Sequence, residues 1–207
     1  MIIAVDGPAA SGKGTIARAL ARHFGLPHLD TGVLYRAVGL ATLRKGGDPA
    51  DEADAFAACD FSDAMLGDPE LRSEAAGASA SRVSAHPAVR AALIDRQRSF
   101  ARQAGGAVLD GRDVGTIIAP EAEAKLFVTA RPEVRAQRRH DELERMGLHS
   151  RLEAVLHDIQ ARDERDTGRK TAPLRQADDA ILLDTSDLAI EAAIQRAISL
   201  VEARIRS

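Results

Sequence analysis

Apolar residues in this chain fall into two patterns. Ile2-Ile3-Ala4-Val5, Ala107-Val108-Leu109, Leu126-Phe127-Val128 (after Lys125) and Ile181-Leu182-Leu183 are short unbroken runs, and Leu26 to Leu29 is a shorter strand-like piece ending at Asp30. Between them, apolar positions recur every three or four residues. Runs without polar alternation predict strands buried on both faces, and helical stretches between them predict a parallel sheet covered by helices. Helices are expected at about 13–24, with Ala17, Leu20, Ala21 and Phe24 on one face and Gly25 as its stop, and at about 31–44, capped by Thr31 and closed by Gly46-Gly47. Further helices are expected at about 50–58, from 81 or 87 to 103, from Pro132 to about 146, at 151–164 and at 188–205. Residues 60–80 show weak periodicity, and 165–174 read as a polar loop. In such a sheet, active residues collect at the carboxyl ends of the strands, which singles out Gly7, Asp30, Asp110, Asp113 and Asp184.

The first of these ends carries the strongest chemistry. Gly7-Pro8-Ala9-Ala10-Ser11-Gly12-Lys13-Gly14-Thr15 lies between a strand and a helix, the context a phosphate-binding loop requires. Glycines let backbone N–H groups turn inward as an anion nest, and the helix N-terminus adds partial positive charge. Lys13 supplies a full charge for the outer phosphates of a nucleotide. Gly14 stands where Ser or Thr usually follows the lysine, and Thr15 comes one position later.

Three other loops bear on what becomes of the bound phosphates. Asp30-Thr31-Gly32-Val33-Leu34-Tyr35-Arg36 opens a helix and offers a second anion site. Asp110-Gly111-Arg112-Asp113-Val114-Gly115-Thr116 follows a strand, and a carboxylate at Asp110 has the form of a Walker B residue that holds Mg²⁺ through water. Arg162-Asp163-Glu164-Arg165-Asp166-Thr167-Gly168-Arg169-Lys170 by itself reads as a solvated helix face. Beside a phosphate-binding loop, such a segment can close over a transferring phosphoryl group and exclude water.

Composition narrows the classes. The 207 residues are 45% hydrophobic, enough for one domain with a small lobe, and the net charge of −3 gives no basic field toward nucleic acid or membrane. The single cysteine, Cys59, forms neither an internal disulfide nor a metal site alone. No signal peptide or membrane-length apolar run is present, so a cytoplasmic protein is expected. The six histidines show no metal-ligand spacing.

Taken in order, the segments IAVDGPAASGKGT, LDTGVLYRAVG, HPAVRAALIDRQRSFA, LDGRDVGT, RDERDTGRKTAPL and ILLDTSDL resemble the bacterial cytidylate kinases, the CMP/dCMP branch of the nucleoside monophosphate kinases. The resemblance implies an α/β fold: a P-loop NTPase core with a parallel five-stranded sheet flanked by helices, plus a small NMP-binding lobe and a short Arg-rich lid. It implies one kinase domain over 1–207, with the lobe at about 31–104 and the lid at about 162–174. The insertion that many members carry in the lobe is trimmed here. The implied reaction moves the γ-phosphoryl group of ATP to CMP or dCMP, with Mg²⁺, in pyrimidine nucleotide metabolism. Gly12, Lys13, Gly14 and Thr15, within the loop from Gly7, would hold the ATP phosphates. Thr31, Arg36, Arg112 and Arg169 would grip the acceptor phosphate, and Arg162 and Asp166 would reach the acceptor's sugar and phosphate. Ser81, Arg90 and Asp113 would meet the cytosine, with Ser79 and Ser84 as competitors for the serine role. An Arg with an Asp complements the O2, N3 and 4-amino edge of cytosine, whereas uracil would turn an oxo group toward the carboxylate, a mismatch worth on the order of 1–3 kcal/mol. The acceptor oxygen is already anionic, so no strong base is needed, and Lys13, Arg112, Arg162 and Arg169 would carry catalysis by charge and position. A monomer is expected. Kinases for UMP, AMP or a metabolite are the alternatives, and a non-catalytic nucleotide switch is a further one.

Overall fold

The computed structural model describes residues 1–206. Its elements run β1 (Ile2–Asp6), α1 (Lys13–Phe24), β2 (His28–Asp30), α2 (Thr31–Arg44), α3 (Glu52–Ala57), α4 (Glu74–Val83), α5 (Pro87–Ala101), β3 (Ala107–Gly111), β4 (Ala124–Thr129), α6 (Pro132–Arg145), α7 (Leu152–Gly168), β5 (Ile181–Asp184) and α8 (Ile190–Arg206). The five strands form one sheet in the order β2-β3-β1-β4-β5. β1 pairs parallel with both β3 and β4, and β4 pairs parallel with β5. Every residue of β1 and β3 is buried, as the unbroken apolar runs require. Among the described residues, no helix is long and apolar enough to cross a membrane.

Two packing units divide the chain, Met1–Leu29 with Ala101–Ser207, and Asp30–Phe100. In the first, Ile3 and Val5 of β1, Ile16 and Leu20 of α1, Leu126 and Val128 of β4, and Ala193, Ala197 and Val201 of α8 form one buried cluster. Each large aliphatic side chain so buried contributes roughly 1.5–3 kcal/mol. A separate cluster of Ala136, Leu143, Val155 and Ile159 joins α6 to α7, with Ala10 of the loop between β1 and α1 packed against it. In the second unit, Ala37, Leu40 and Leu71 are buried, with Val33, Phe61, Met65 and Leu66 around them. There α2 packs closely on α4, because a Cβ at Gly39 would stand 2.6 Å from the Ser79 Cβ.

Three local expectations change, and one open alternative closes at Pro87. Asp30, not Thr31, caps α2: its carboxylate accepts from the Gly32 N–H, leaving Thr31 as the buried first helical residue. The segment 60–80 is ordered as two 3₁₀ turns, Asp63–Gly67 and Pro69–Arg72, and then α4, each started by a Ser or Asp cap. No period emerges there because three caps fall within a dozen residues. α4 also ends before α5 begins at Pro87. Finally, α7 continues through Gly168, so residues 165–168, expected in a loop, are helical and Asp166 is fixed on a helix face. Its carboxylate holds Arg112 and Arg169 there.

Candidate active site

The loop from Gly7 to Lys13 is shaped by its backbone. Gly7 has φ +154 and Gly12 φ +88, and a Cβ on Gly7 would lie 2.0 Å from the Val128 carbonyl oxygen. Ala10 adopts φ 58, a left-handed conformation that costs a non-glycine residue free energy and persists because the surroundings hold it. Those surroundings are specific. Ala10 packs against the α6–α7 cluster, the Ala9 carbonyl accepts from Arg135 at 3.2 Å, and the Ser11 carbonyl accepts from the Thr185 hydroxyl at 3.1 Å. The Ser11 hydroxyl is buried with no hydrogen-bond partner, 3.3 Å from where a Gly7 Cβ would be. Lys13 Nζ donates to the Pro8 carbonyl at 3.4 Å.

The end of β1 supports the loop after β3. Asp6 is buried, and its two carboxylate oxygens accept the N–H groups of Val114 (2.8 Å) and Gly115 (2.7 Å). Burial pushes the Asp6 carboxyl up to about 7, against the lowering effect of those two bonds and with the nearby Asp113 adding to the rise. Asp110, also buried, receives a bond from His28 Nε2 at 2.7 Å. Its Oδ2 lies 3.6 Å from the position of a Cβ on Gly14, which directs this carboxylate toward the start of α1.

One carboxylate on α7 gathers an arginine from the loop after β3 and one from the arginine-rich segment. Asp166 on α7 accepts from Arg112 Nε at 2.8 Å and forms a short ion pair with Arg169. Burial alone would raise the Asp166 carboxyl, but Arg112 and Arg169, with Lys13 adding to them, outweigh burial and hold it below the usual carboxylate range. Lys13, Arg112, Asp166 and Arg169 thus form one electrostatic group. Asp113 is buried at the start of the turn Val114–Ile118, and Arg162 is half-buried on α7.

In the unit Asp30–Phe100, Arg36 donates to the Leu71 carbonyl at 3.4 Å. Arg90 is buried, donates to the Ser84 carbonyl at 3.4 Å and lies over the Tyr35 ring at 5.7 Å. Of the three serines, Ser79 donates to the Ala75 carbonyl and Ser84 to that of Ser81, so both hydroxyl protons are engaged within the helix and its cap. Ser81 is half-buried on α4.

The chain matches the family described as Cytidylate kinase over residues 3–203. It belongs to that family. A cytidylate kinase of Xanthobacter autotrophicus is 60% identical over 99% of this chain and 98% of its own length, and one of a Methylobacterium species is likewise 60% identical over 99% and 98%. Among solved structures, a Sinorhizobium meliloti gluconokinase (TM-score 0.54, 16% identity, 99% of this chain and 93% of that one) and the Thermus thermophilus protein TT1252 (TM-score 0.51, 23% identity, 99% and 97%) share the fold.

Sequence reasoning missed three residues of the cytidylate kinase core: Asp6, Arg135 and Thr185. Each lies apart in sequence from the group it bonds. Asp6 stands within the segment IAVDGPAASGKGT, but its two partners lie more than a hundred residues away. A polar residue closing an apolar strand was the one signal available for Asp6, and the same signal had singled out Asp110.

Proposed function

We infer that this chain transfers the γ-phosphoryl group of ATP to CMP or dCMP, yielding ADP and CDP or dCDP, through the residues described above. The observation that carries the assignment of the site is the group of Lys13, Arg112, Asp166 and Arg169 beside a backbone-built phosphate loop, in a chain of the cytidylate kinase family. In this reading the loop Gly7–Thr15 binds the ATP phosphates, and the buried Ser11 hydroxyl is left for a ligand. Thr31, Arg36, Arg112 and Arg169 hold the acceptor phosphate, Arg162 and Asp166 meet its sugar, and Ser81, Arg90 and Asp113 read the cytosine. The residues from about 31 to 104 form the acceptor-nucleotide lobe, which the separate packing of Asp30–Phe100 supports, and those from about 162 to 174 act as the lid.

The residues present fit Mg²⁺ delivered with ATP. Among the described residues no cluster of three His, Cys, Asp or Glu side chains could hold a metal alone, and one buried carboxylate, Asp110, is directed toward the phosphate loop. Asp110 would hold the ion through water, with His28 fixing its orientation. Bound Mg²⁺ neutralises charge on the transferring phosphates. The protein's own share is positional: Lys13 and the guanidinium groups of Arg112 and Arg169 align donor and acceptor oxygens and stabilise charge spread over the phosphoryl group. The single chain is the working unit. A cytoplasmic location suits this reading, because its substrates are highly charged nucleotides that do not cross membranes unaided.

A coupled assay over CMP, dCMP, UMP and AMP tests the reading. CMP and dCMP are expected to be turned over best. Lys13→Ala is expected to lower kcat at least about a hundredfold, the scale of one preorganised charge. Asp113→Ala is expected to narrow the CMP-to-UMP preference by roughly tenfold. Unchanged kcat in the first variant overturns the phosphate-loop role, and an unchanged ratio in the second moves base recognition to other residues.

A further inference from the structure

We propose that Arg135 and Asp163 act as a positioning pair that ties the phosphate-binding loop to α7 and so fixes the place of Asp166 and its two arginines during phosphoryl transfer. The inference rests on the site roles given above, but it concerns two residues that touch no substrate in that reading.

Arg135, on α6, is 3% exposed, and its guanidinium bonds three parts of the core. Nε donates to the Ala130 carbonyl just past β4 at 2.8 Å. Nη1 donates to the Ala9 carbonyl at 3.2 Å and to Asp163 Oδ1 at 3.1 Å, and Nη2 donates to Asp163 Oδ2 at 2.5 Å. A phosphate loop that turns its N–H groups inward must satisfy carbonyls on its other side, and Arg135 takes the one immediately before the left-handed Ala10. The same fork grips Asp163 with two bonds, a geometry that a lysine cannot reproduce.

Asp163 then transmits the constraint. It precedes Asp166 by three residues on α7, so the two lie on neighbouring positions of one helix face. Fixing Asp163 fixes the rotation of α7 about its axis, and with it the carboxylate that gathers Arg112 and Arg169. Stability alone does not call for such a pair. Buried ion pairs are commonly no more stabilising than apolar residues of similar volume, whereas the rigid fork provides direction.

The test uses the full chain with ATP and CMP, at a temperature where circular dichroism shows each variant folded. Asp163→Asn and Arg135→Lys are each expected to lower kcat about tenfold to a hundredfold, with KM for CMP within about threefold of the wild type, the pattern of lost alignment rather than lost binding. The double variant Arg135→Met/Asp163→Leu removes both charges but also the donor to the Ala9 and Ala130 carbonyls, and is expected to recover part of the thermal stability lost in Arg135→Met alone without recovering kcat. If Asp163→Asn turns over at the wild-type rate while folded, or if the apolar double variant restores kcat together with stability, the pair is merely structural and the proposal falls. Lys13→Ala measured in parallel tests the underlying site reading separately: full activity in that variant would remove the reading itself, whatever the pair does.

Discussion

Asp6 at the end of β1 is 5% exposed and Asp166 on α7 is 3% exposed, yet burial pushes the Asp6 carboxyl up to about 7, whereas Asp166 is held below the usual carboxylate range. Their neighbours account for the difference. Asp6 faces two backbone N–H dipoles, which with the charge of Arg112 do not offset the loss of water, and Asp113 adds like charge. Asp166 faces the full charges of Arg112 and Arg169, with Lys13 contributing, and these outweigh its burial. The end of β1 is therefore a region built from backbone, where shape is the constraint. The end of α7 is built from charged side chains, where electrostatic balance is the constraint. In the proposed reading a phosphate group suits both: the first through N–H nests, the second through guanidinium groups that a carboxylate already gathers.

The largest effect should come from breaking the side-chain region. Asp166→Ala leaves two guanidinium groups without the carboxylate they share, and is expected to cost about 3–5 kcal/mol of stability by urea unfolding. Added sulfate should stabilise this variant more than the wild type. Equal stabilisation of both would show that Asp166 does not occupy an anion position. A smaller cost is expected from the backbone region. Gly7→Ala sets a Cβ against the Val128 carbonyl and should destabilise by about 3 kcal/mol, combining overpacking with backbone strain. Sulfate should offer this variant no selective rescue.

The smallest effect is a slope with pH. The folded pKa of Asp6 lies above its unfolded value of 3.8, so the folded state keeps a proton that the unfolded chain releases. The associated stability is present below about 4 and is lost as pH rises to about 7. Unfolding free energies of the wild type minus those of Asp6→Asn should therefore fall between about pH 4 and 7 and level off above, the slopes from other carboxylates cancelling in the difference. A difference that rises over this range would mean that the two N–H bonds outweigh burial. The same subtraction for Asp166→Asn should slope the other way and at lower pH, rising up to about pH 4 and flat above it, since its folded value lies below the unfolded value of 3.8.

Much of the fold was legible because its signals are local. Unbroken apolar runs marked all four longer strands, Gly25 ended α1 where expected, and Pro132 opened α6. The shape of the loop Gly7–Lys13 was legible because its glycines answer a local backbone demand. The boundary of α7 was missed because its last turn has no apolar period: Arg165, Asp166 and Thr167 look like loop residues until the ion pairs at Asp166 are seen. The cap of α2 was displaced by one residue because Asp30 and Thr31 are both good caps, and backbone geometry chose between them.

Periodicities, strand ends, the glycine-rich loop after β1 and the order of motifs that marks the family can all be read along the chain, because each depends on residues near one another in it. Which charges meet is settled in three dimensions. Asp6 reaches a turn more than a hundred residues away, Arg135 joins Ala9 to Asp163, and Asp166 gathers Arg112 with Arg169. Coulomb and hydrogen-bond energies act over a few ångströms of space, and the parallel crossovers of this sheet bring together residues that the chain holds far apart.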